Sequence, residues 1–326
     1  MRPRVIRRST VESLPGHAEA GRAESFPHPA SRIPHPDTPF ARLLVAPALA
    51  VIALIAIFPL AWTVWESLHR HDLRMPWLGR PFVGLANYVT IVHDDRFWSA
   101  LAHTAFFTGV SVSLELVIGL VFALAMNRAF RGRGLVRAAV LVPWAIPTVV
   151  AALLWTFIFG AQAGIANAVL ADLGVIHQPI VWFVHAATAW VPVILADVWK
   201  TTPFVALLLL AGLQNIDPAL YEAAAVDGAT PWWRLTRITI PLLKPAIVLV
   251  LIFRTLDAFR VFDLIYVLTG GGPGTSTEPI ALYTFTALLQ NLEFGYGSAL
   301  SVVIFLITFG LALVYIRGIG MGEAGE

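Results

Sequence analysis

The sequence contains no cysteine, which excludes disulfides, thiolate metal sites and thiol chemistry. Charge is almost as scarce. Asp, Glu, Lys and Arg make up 13% of the 326 residues, about half the share of an average soluble domain. The formal balance of +2 is too small a surplus to point to nucleic acid. The nine histidines show no metal-ligand spacing such as H-E-x-x-H, and no catalytic motif of defined spacing is present. A Walker motif is missing too: the run Gly270-Gly271-Gly272-Pro273-Gly274 lacks the Gly-Lys-Ser/Thr ending of a phosphate loop. No ATP chemistry, metal site or bound cofactor is therefore expected of this chain.

What is there is apolar: 58% hydrophobic residues and a mean hydropathy of +0.75. Several runs reach about 20 residues, the length a helix needs to cross a bilayer. The expected fold is all-α, a polytopic membrane protein with six transmembrane helices over about 41–66, 100–127, 136–160, 187–212, 245–268 and 296–317. Pro47, Pro59, Pro143, Pro147, Pro192 and Pro203 fall inside these spans, as kinks that a helix bundle tolerates. Residues 1–39 are rich in Arg, Pro and His and are expected to form a disordered cytoplasmic tail, with a regulatory or lipid-surface role as the alternative. The first apolar run starts too late and is too long for a signal peptide. Residues 319–326 are expected to form a short C-terminal tail.

Arginine distribution gives the orientation. The loop between spans two and three carries Arg128, Arg131, Arg133 and Arg137, and that between four and five carries Arg234, Arg237 and Lys244. The segments 161–186 and 269–295 carry no Lys or Arg. Both termini are expected in the cytoplasm.

A short polar island, Glu222 to Pro241, falls on the cytoplasmic side of this topology. Asp217-Pro218 is a helix start, with Asp as cap and Pro at the first helical position. Gly228 is placed to end that helix, and Thr230-Pro231 repeats the start signal. A helix–turn–helix results, with Pro241 and Pro245 expected to mark a hinge into span five. By physics alone this could be an ordinary amphipathic loop helix.

The residue pattern points further. Glu222-Ala223-Ala224, Asp227-Gly228-Ala229 and Ile238-x-Ile240-Pro241 resemble the EAA motif of ATP-binding-cassette importer permeases, with Leu235 and Ile240 in place of the usual Phe and Leu. Phe82-Val-Gly84-Leu85-Ala-Asn87-Tyr88, Pro143-Trp-Ala-Ile-Pro147 and Tyr266-Val-Leu-Thr269-Gly-Gly-Gly-Pro273 resemble further segments of the carbohydrate, maltose- and trehalose-type, permeases. So do Val198-Trp-Lys200-Thr-Thr-Pro-Phe204 and Phe253-Arg254-Thr-Leu-Asp257-Ala-Phe-Arg260. The match covers roughly residues 40–318. It implies a MetI-like type I importer permease fold in the plasma membrane of a bacterial cell, and a non-catalytic subunit that moves a disaccharide, with trehalose leading. The implied partners are a second, homologous permease, two copies of a cytoplasmic ATPase holding ATP and Mg, and an extracytoplasmic sugar-binding protein. Glu222, Ala223, Ala224, Asp227, Gly228 and Ala229 would couple to the ATPase, and the Gly270–Gly274 turn is expected to be flexible and to contact the binding protein.

Ionisable residues in mid-span are functional candidates, because each costs about 2.5–3.5 kcal/mol to insert. Asp197, Lys200, Thr201 and Phe204 share one helical face of span four, and Arg254, Asp257, Ala258 and Val261 share one face of span five. The resemblance implies that these faces line the sugar site. Ala258 and Val261 stand where the maltose protein has amides, so Arg254 and Asp257 are expected to supply hydroxyl contacts instead. The alternative is a salt-bridge ladder of i, i+3 pairs, Asp197–Lys200, Arg254–Asp257 and Arg260–Asp263. Arg260 and Asp263 point elsewhere and suit a structural or gating role; Glu115 is isolated and suits a packing hydrogen bond to a neighbouring helix. An ion-coupled secondary transporter is the functional alternative, but it calls for inverted repeats, which are not visible, and would leave the EAA-like motif unexplained.

Overall fold

The protein is described by a computed structural model covering residues 39–128 and 131–323, with side chains between Leu43 and Arg317. The expected N-terminal tail, apart from Pro39, lies outside the described residues. These form two units, meeting at Ile55 and Ala56. The first holds helix α1 (Pro39–Ile52), and the division falls within the π-helical turn Ala53–Ile57 that follows it. The side chains of this unit from Leu43 onward are exposed and apolar.

The second unit is helical throughout, and no β-strand occurs among the described residues. Helices α2 (Phe58–Ser67) and α3 (Ala86–Val92) precede the long α4 (Asp95–Asn127). Then come α5 (Arg133–Ala145), α6 (Thr148–Ile158), α7 (Ile165–Asp172) and α8 (Ala186–Gln214). A short hairpin, α9 (Pro218–Val226) and α10 (Pro231–Arg234), leads into α11 (Ile240–Ala258). The chain ends with α12 (Asp263–Leu268), α13 (Ile280–Phe285) and α14 (Phe294–Glu323). Five helical stretches are long and apolar enough to cross a membrane, six if the bent pair α5–α6 counts as one. Helices suit this solvent because lipid offers nothing else to bond a backbone N–H or C=O.

Helices α4, α8 and α11 make the centre. Small residues let them approach closely, as packing in lipid requires. A Cβ on Gly119 of α4 would lie 2.6 Å from Val205 Cγ1 of α8, and one on Gly212 would lie 2.6 Å from Ala246 Cβ of α11. Leu209, Leu213, Met126, Leu243 and Val250 fill the space between the three at one end. A second buried cluster joins Phe107 and Val193 to Ala258, Val261 and Ile265, and a third joins Phe97 and Ile91 to Phe259, Tyr283 and Leu300. Outside the core, large apolar side chains such as Val117, Phe157, Leu306 and Val314 stay exposed, the surface expected of a chain that faces lipid and partner helices.

Four expectations from the sequence need correction. Span three is not continuous: α5 and α6 meet at a bend of 92°. Pro147 pushes Ile146 out of the helical region, to φ −74° and ψ 132°. The hinge expected at Pro241 and Pro245 is absent, and Pro231–Ala258 runs as one helical stretch. The π-turn Leu235–Thr239 directly before α11, with Ile240 N–H reaching Leu235 O, loosens the register ahead of Pro241, whose nitrogen has no proton to give. Span five also stops early: α11 ends at Ala258, and Asp263 opens a new helix, its carboxylate matched to that helix's N-terminal partial charge. At the C-terminus α14 continues to Glu323 where a tail was expected from residue 319.

Candidate functional site

A buried ion cluster ties the three central helices together. Arg254 on α11 donates from Nε to Glu115 Oε2 at 2.5 Å and from Nη2 to Glu115 Oε1 at 2.8 Å, a two-pronged grip on α4. The same Nη2 reaches Asp197 Oδ2 on α8 at 3.1 Å, and Nη1 bonds Asp257 one turn along α11. Thr201 Oγ1 lies 2.7 Å from Glu115 Oε1 and 2.6 Å from Asp197 O. Glu115 is 0% exposed, Arg254 2% and Asp197 7%, so the contacts form away from water. A planar guanidinium suits this role, since its fork can satisfy several carboxylate oxygens at once.

The i, i+3 ladder is thus only partly made. Arg254–Asp257 forms, but Asp197 pairs with Arg254 and not with Lys200. Arg260 bonds the carbonyl of Leu256 at 3.2 Å, and no Arg260–Asp263 ion pair occurs among the described residues. The helix ends at Ala258, before Arg260, and the next begins at Asp263, so helical spacing does not apply. Glu115 does bond to neighbouring helices, as expected, but it is a full partner in the cluster and not isolated.

One side of the cluster opens into a cavity of about 430 Å³. Thr201, Phe204, Arg254 and Asp257 line it, joined by Trp144, Phe253, Leu256 and Arg260. The Asp257 side chain is 66% exposed there, whereas Arg254 turns its polar atoms inward to the carboxylates. Trp144 lies nearly parallel to Phe204, with ring centres 6.1 Å apart and planes 18° apart, and Phe253 stands edge-on to Phe204 at 6.4 Å. Of the remaining residues singled out from sequence, Asp197 sits behind Arg254, Lys200 is half-buried off the lining, and Ala258 and Val261 are packed in the apolar core. The sequence reading missed Trp144 and Phe253. Phe253 directly precedes Arg254, a weak signal, while Trp144 comes from the end of α5.

The hairpin follows its local code closely. Asp217 Oδ1 accepts from Ala219 N–H at 2.9 Å at the start of α9. At its end Gly228 has φ +78°, with Ala229 N–H on Ala224 O at 2.8 Å and Gly228 N–H on Ala225 O at 3.1 Å. That is a Schellman motif, which glycine enters without steric cost. Thr230 Oγ1 then accepts from Trp233 N–H at 3.3 Å. Ala223, Ala224, Asp227, Gly228 and Ala229 line an open concavity of about 620 Å³ with Trp233 and Ile238; Glu222 lies outside it, exposed. Val226 is 88% exposed, an apolar knob at the tip of the hairpin.

At the opposite end of α4 the structure holds a second polar cluster that the sequence reading did not find. Arg96 grips Glu278 with two bonds of 2.8 Å, and Asp94 accepts from the hydroxyls of Tyr283 and Tyr296. The turn Gly270–Gly274, expected to be flexible, is tied down beside it: Thr277 Oγ1 donates to Gly272 O at 2.7 Å and lies 2.8 Å from Thr269 Oγ1.

A helical membrane protein with a buried charge cluster beside a cavity, and a capped hairpin running into a central helix, has the arrangement of a transport subunit. The family described as the inner membrane component of binding-protein-dependent transport systems matches residues 115–319, and the chain belongs to it. It is 44% identical over 288 residues to the trehalose/maltose transport system permease protein MalF of Thermococcus litoralis, covering 88% of this chain and 96% of the relative. Identity to the trehalose transport system permease protein SugA of Mycobacterium tuberculosis is 43% over 284 residues, covering 87% and 89%. In fold, the chain matches a subunit in the crystal structure of a bacterial ABC transporter for the acidic polysaccharide alginate, with TM-score 0.73, 23% identity and 85% and 94% of the two chains covered. This chain is an ATP-binding-cassette sugar importer permease, a membrane subunit with several apolar spans.

Proposed function

We propose that the chain carries a disaccharide, trehalose first among them, through the cavity beside Arg254. The observation that carries this reading is the lining. A sugar ring needs an apolar face to stack on and polar groups around its edge, and Trp144, Phe204 and Phe253 provide the first while Thr201, Asp257 and Arg260 provide the second. Relatives whose names give trehalose or maltose support the substrate class. Arg254 holds Asp257 toward the cavity and locks α4, α8 and α11 into one register.

The termini and the hairpin face the cytoplasm in this reading, because the arginine-rich loops lie on that side. Helix α9 docks on a cytoplasmic ATPase, which supplies the ATP and Mg. A movement of α9 passes through the Gly228 turn into Pro231–Ala258, one helical stretch that carries Arg254 of the ion cluster. A second permease completes the pathway, and an extracytoplasmic protein delivers the sugar on the side of Glu278. The relatives named above leave the ion-coupled alternative without support.

Uptake of radiolabelled trehalose by proteoliposomes holding the whole transporter tests both parts. Trp144→Ala removes one of the three stacking rings and lowers uptake about fivefold or more, in proportion to ~1–3 kcal/mol of stacking and burial; uptake kinetics equal to wild type would remove Trp144 from the site. Gly228→Val forces a β-branched residue into positive φ, and sugar uptake falls while ATP hydrolysis continues. Normal uptake by that variant would sink the docking role of the hairpin.

A further inference from the structure

Where the C-terminal ends of α4 and α8 meet the hairpin, a cavity of about 560 Å³ is left unused by the transport reading. Leu124, Leu213 and Leu235 give it a buried or half-buried apolar wall. Arg128, just after α4, and Arg234, at the end of α10, bring two guanidinium groups to it, with Trp232 beside them at 72% exposure. No described residue lining the cavity is acidic, and neither arginine forms an ion pair among the described residues. This contrasts with Arg74, Arg96 and Arg254, each of which meets a carboxylate. Arg137 on α5 adds a third guanidinium at this end of α4: its Nη2 donates to Met126 O at 3.2 Å, while its Nε is buried without a partner.

Unpaired arginines beside an apolar wall call for an anion that also carries hydrocarbon. The cavity lies at the ends of membrane-spanning helices, where tryptophan marks the headgroup level. Basic pockets between spans on the cytoplasmic side suit anionic lipid headgroups, and the arginine fork matches phosphate oxygens. We propose that this cavity is a binding site for the phosphate headgroup of an anionic glycerophospholipid. Arg128 and Arg234 hold the phosphate, and the leucine wall takes the first methylenes of an acyl chain. A bound lipid would brace α10 against α4, next to the helix that leads into the ion cluster. The site rests on the orientation proposed above, but its test reads lipid and not transport, so either reading can fail alone.

Native mass spectrometry of the purified transporter complex, with palmitoyl-oleoyl phosphatidylglycerol or phosphatidylcholine added to the delipidated protein, measures the site. Phosphatidylglycerol binds in preference to phosphatidylcholine. Arg128→Gln with Arg234→Gln weakens it about thirtyfold, from about fivefold per arginine. If the double variant does not assemble, Arg128→Gln alone, on an exposed residue, loses about fivefold. Equal retention of phosphatidylglycerol by wild type and an assembled variant overturns the proposal. Displacement of the lipid by millimolar inorganic phosphate also overturns it, since that would mark a free-anion site.

Discussion

The middle of α4 and its N-terminal end hold ion clusters built from the same residue types under different physics. Around Arg254 the partners come from three spans, and the pair Arg254–Glu115 has side chains 3% and 0% exposed. Around Arg96 the partners come from span ends and a loop; the Arg96 side chain is 39% exposed, and two tyrosine hydroxyls share the load on Asp94. Water can replace a lost partner in the second cluster but not in the first. A salt bridge in the core is therefore weak evidence of net stabilisation, yet breaking one side of it is severe. The inner cluster is best understood as a register lock between helices. The outer one is a tether, tying the first turn of α4 to the segment after the Gly270–Gly274 turn.

The largest expected effect breaks the inner lock. Glu115→Ala strips Arg254 of both bonds to α4 and leaves a cation buried between Asp197 and Asp257. Leaving a buried charge with its main partner gone costs about 3–5 kcal/mol, so the thermal midpoint and the yield of folded permease fall sharply. Glu115→Gln, which keeps an acceptor and the side-chain volume, falls between the two. An unchanged midpoint for Glu115→Ala would show that water reaches Arg254, and the distinction between the clusters would collapse.

How far each region could be read from sequence follows the same division. The hairpin was legible almost to the residue, because caps are local: Asp217, Gly228 and Thr230 each act on a backbone group within five positions. The mid-span charges were legible as exceptional, because charge in lipid is expensive. Their partners were not. Glu115 and Arg254 are 139 positions apart, and only the crossing of α4 with α11 makes them a pair. Helical spacing predicted Arg260–Asp263 and failed where the helix stopped at Ala258. Pro147 was visible, but its 92° consequence was not, and that bend separates α5, which ends beside the cavity with Trp144, from α6. The outer cluster left no periodic trace, since Glu278 sits in a loop and meets Arg96 across 182 positions.

The smallest effect tests the outer tether by pH. Asp94, the residue before α4, is pushed up by partial burial, but hydrogen bonds from Tyr283 and Tyr296 and from the amides of Arg96 and Phe97 outweigh this and hold its carboxyl below the usual carboxylate range. A depressed folded value means that the unfolded chain binds the proton first as pH falls. The stability Asp94 contributes is therefore complete above its ordinary value of about 3.9 and is lost as pH drops toward the folded value. Thermal melting of the purified permease between pH 6 and pH 3, roughly the window that brackets that value, should show an acid-side decline that Asp94→Asn reduces. The decline should be shallow, because the site is partly hydrated and Arg96 can find water in place of its partners. If Asp94→Asn leaves the acid limb unchanged, the tyrosine hydroxyls do not discriminate between the carboxyl and its conjugate base, and the tether is held by the Arg96–Glu278 pair alone.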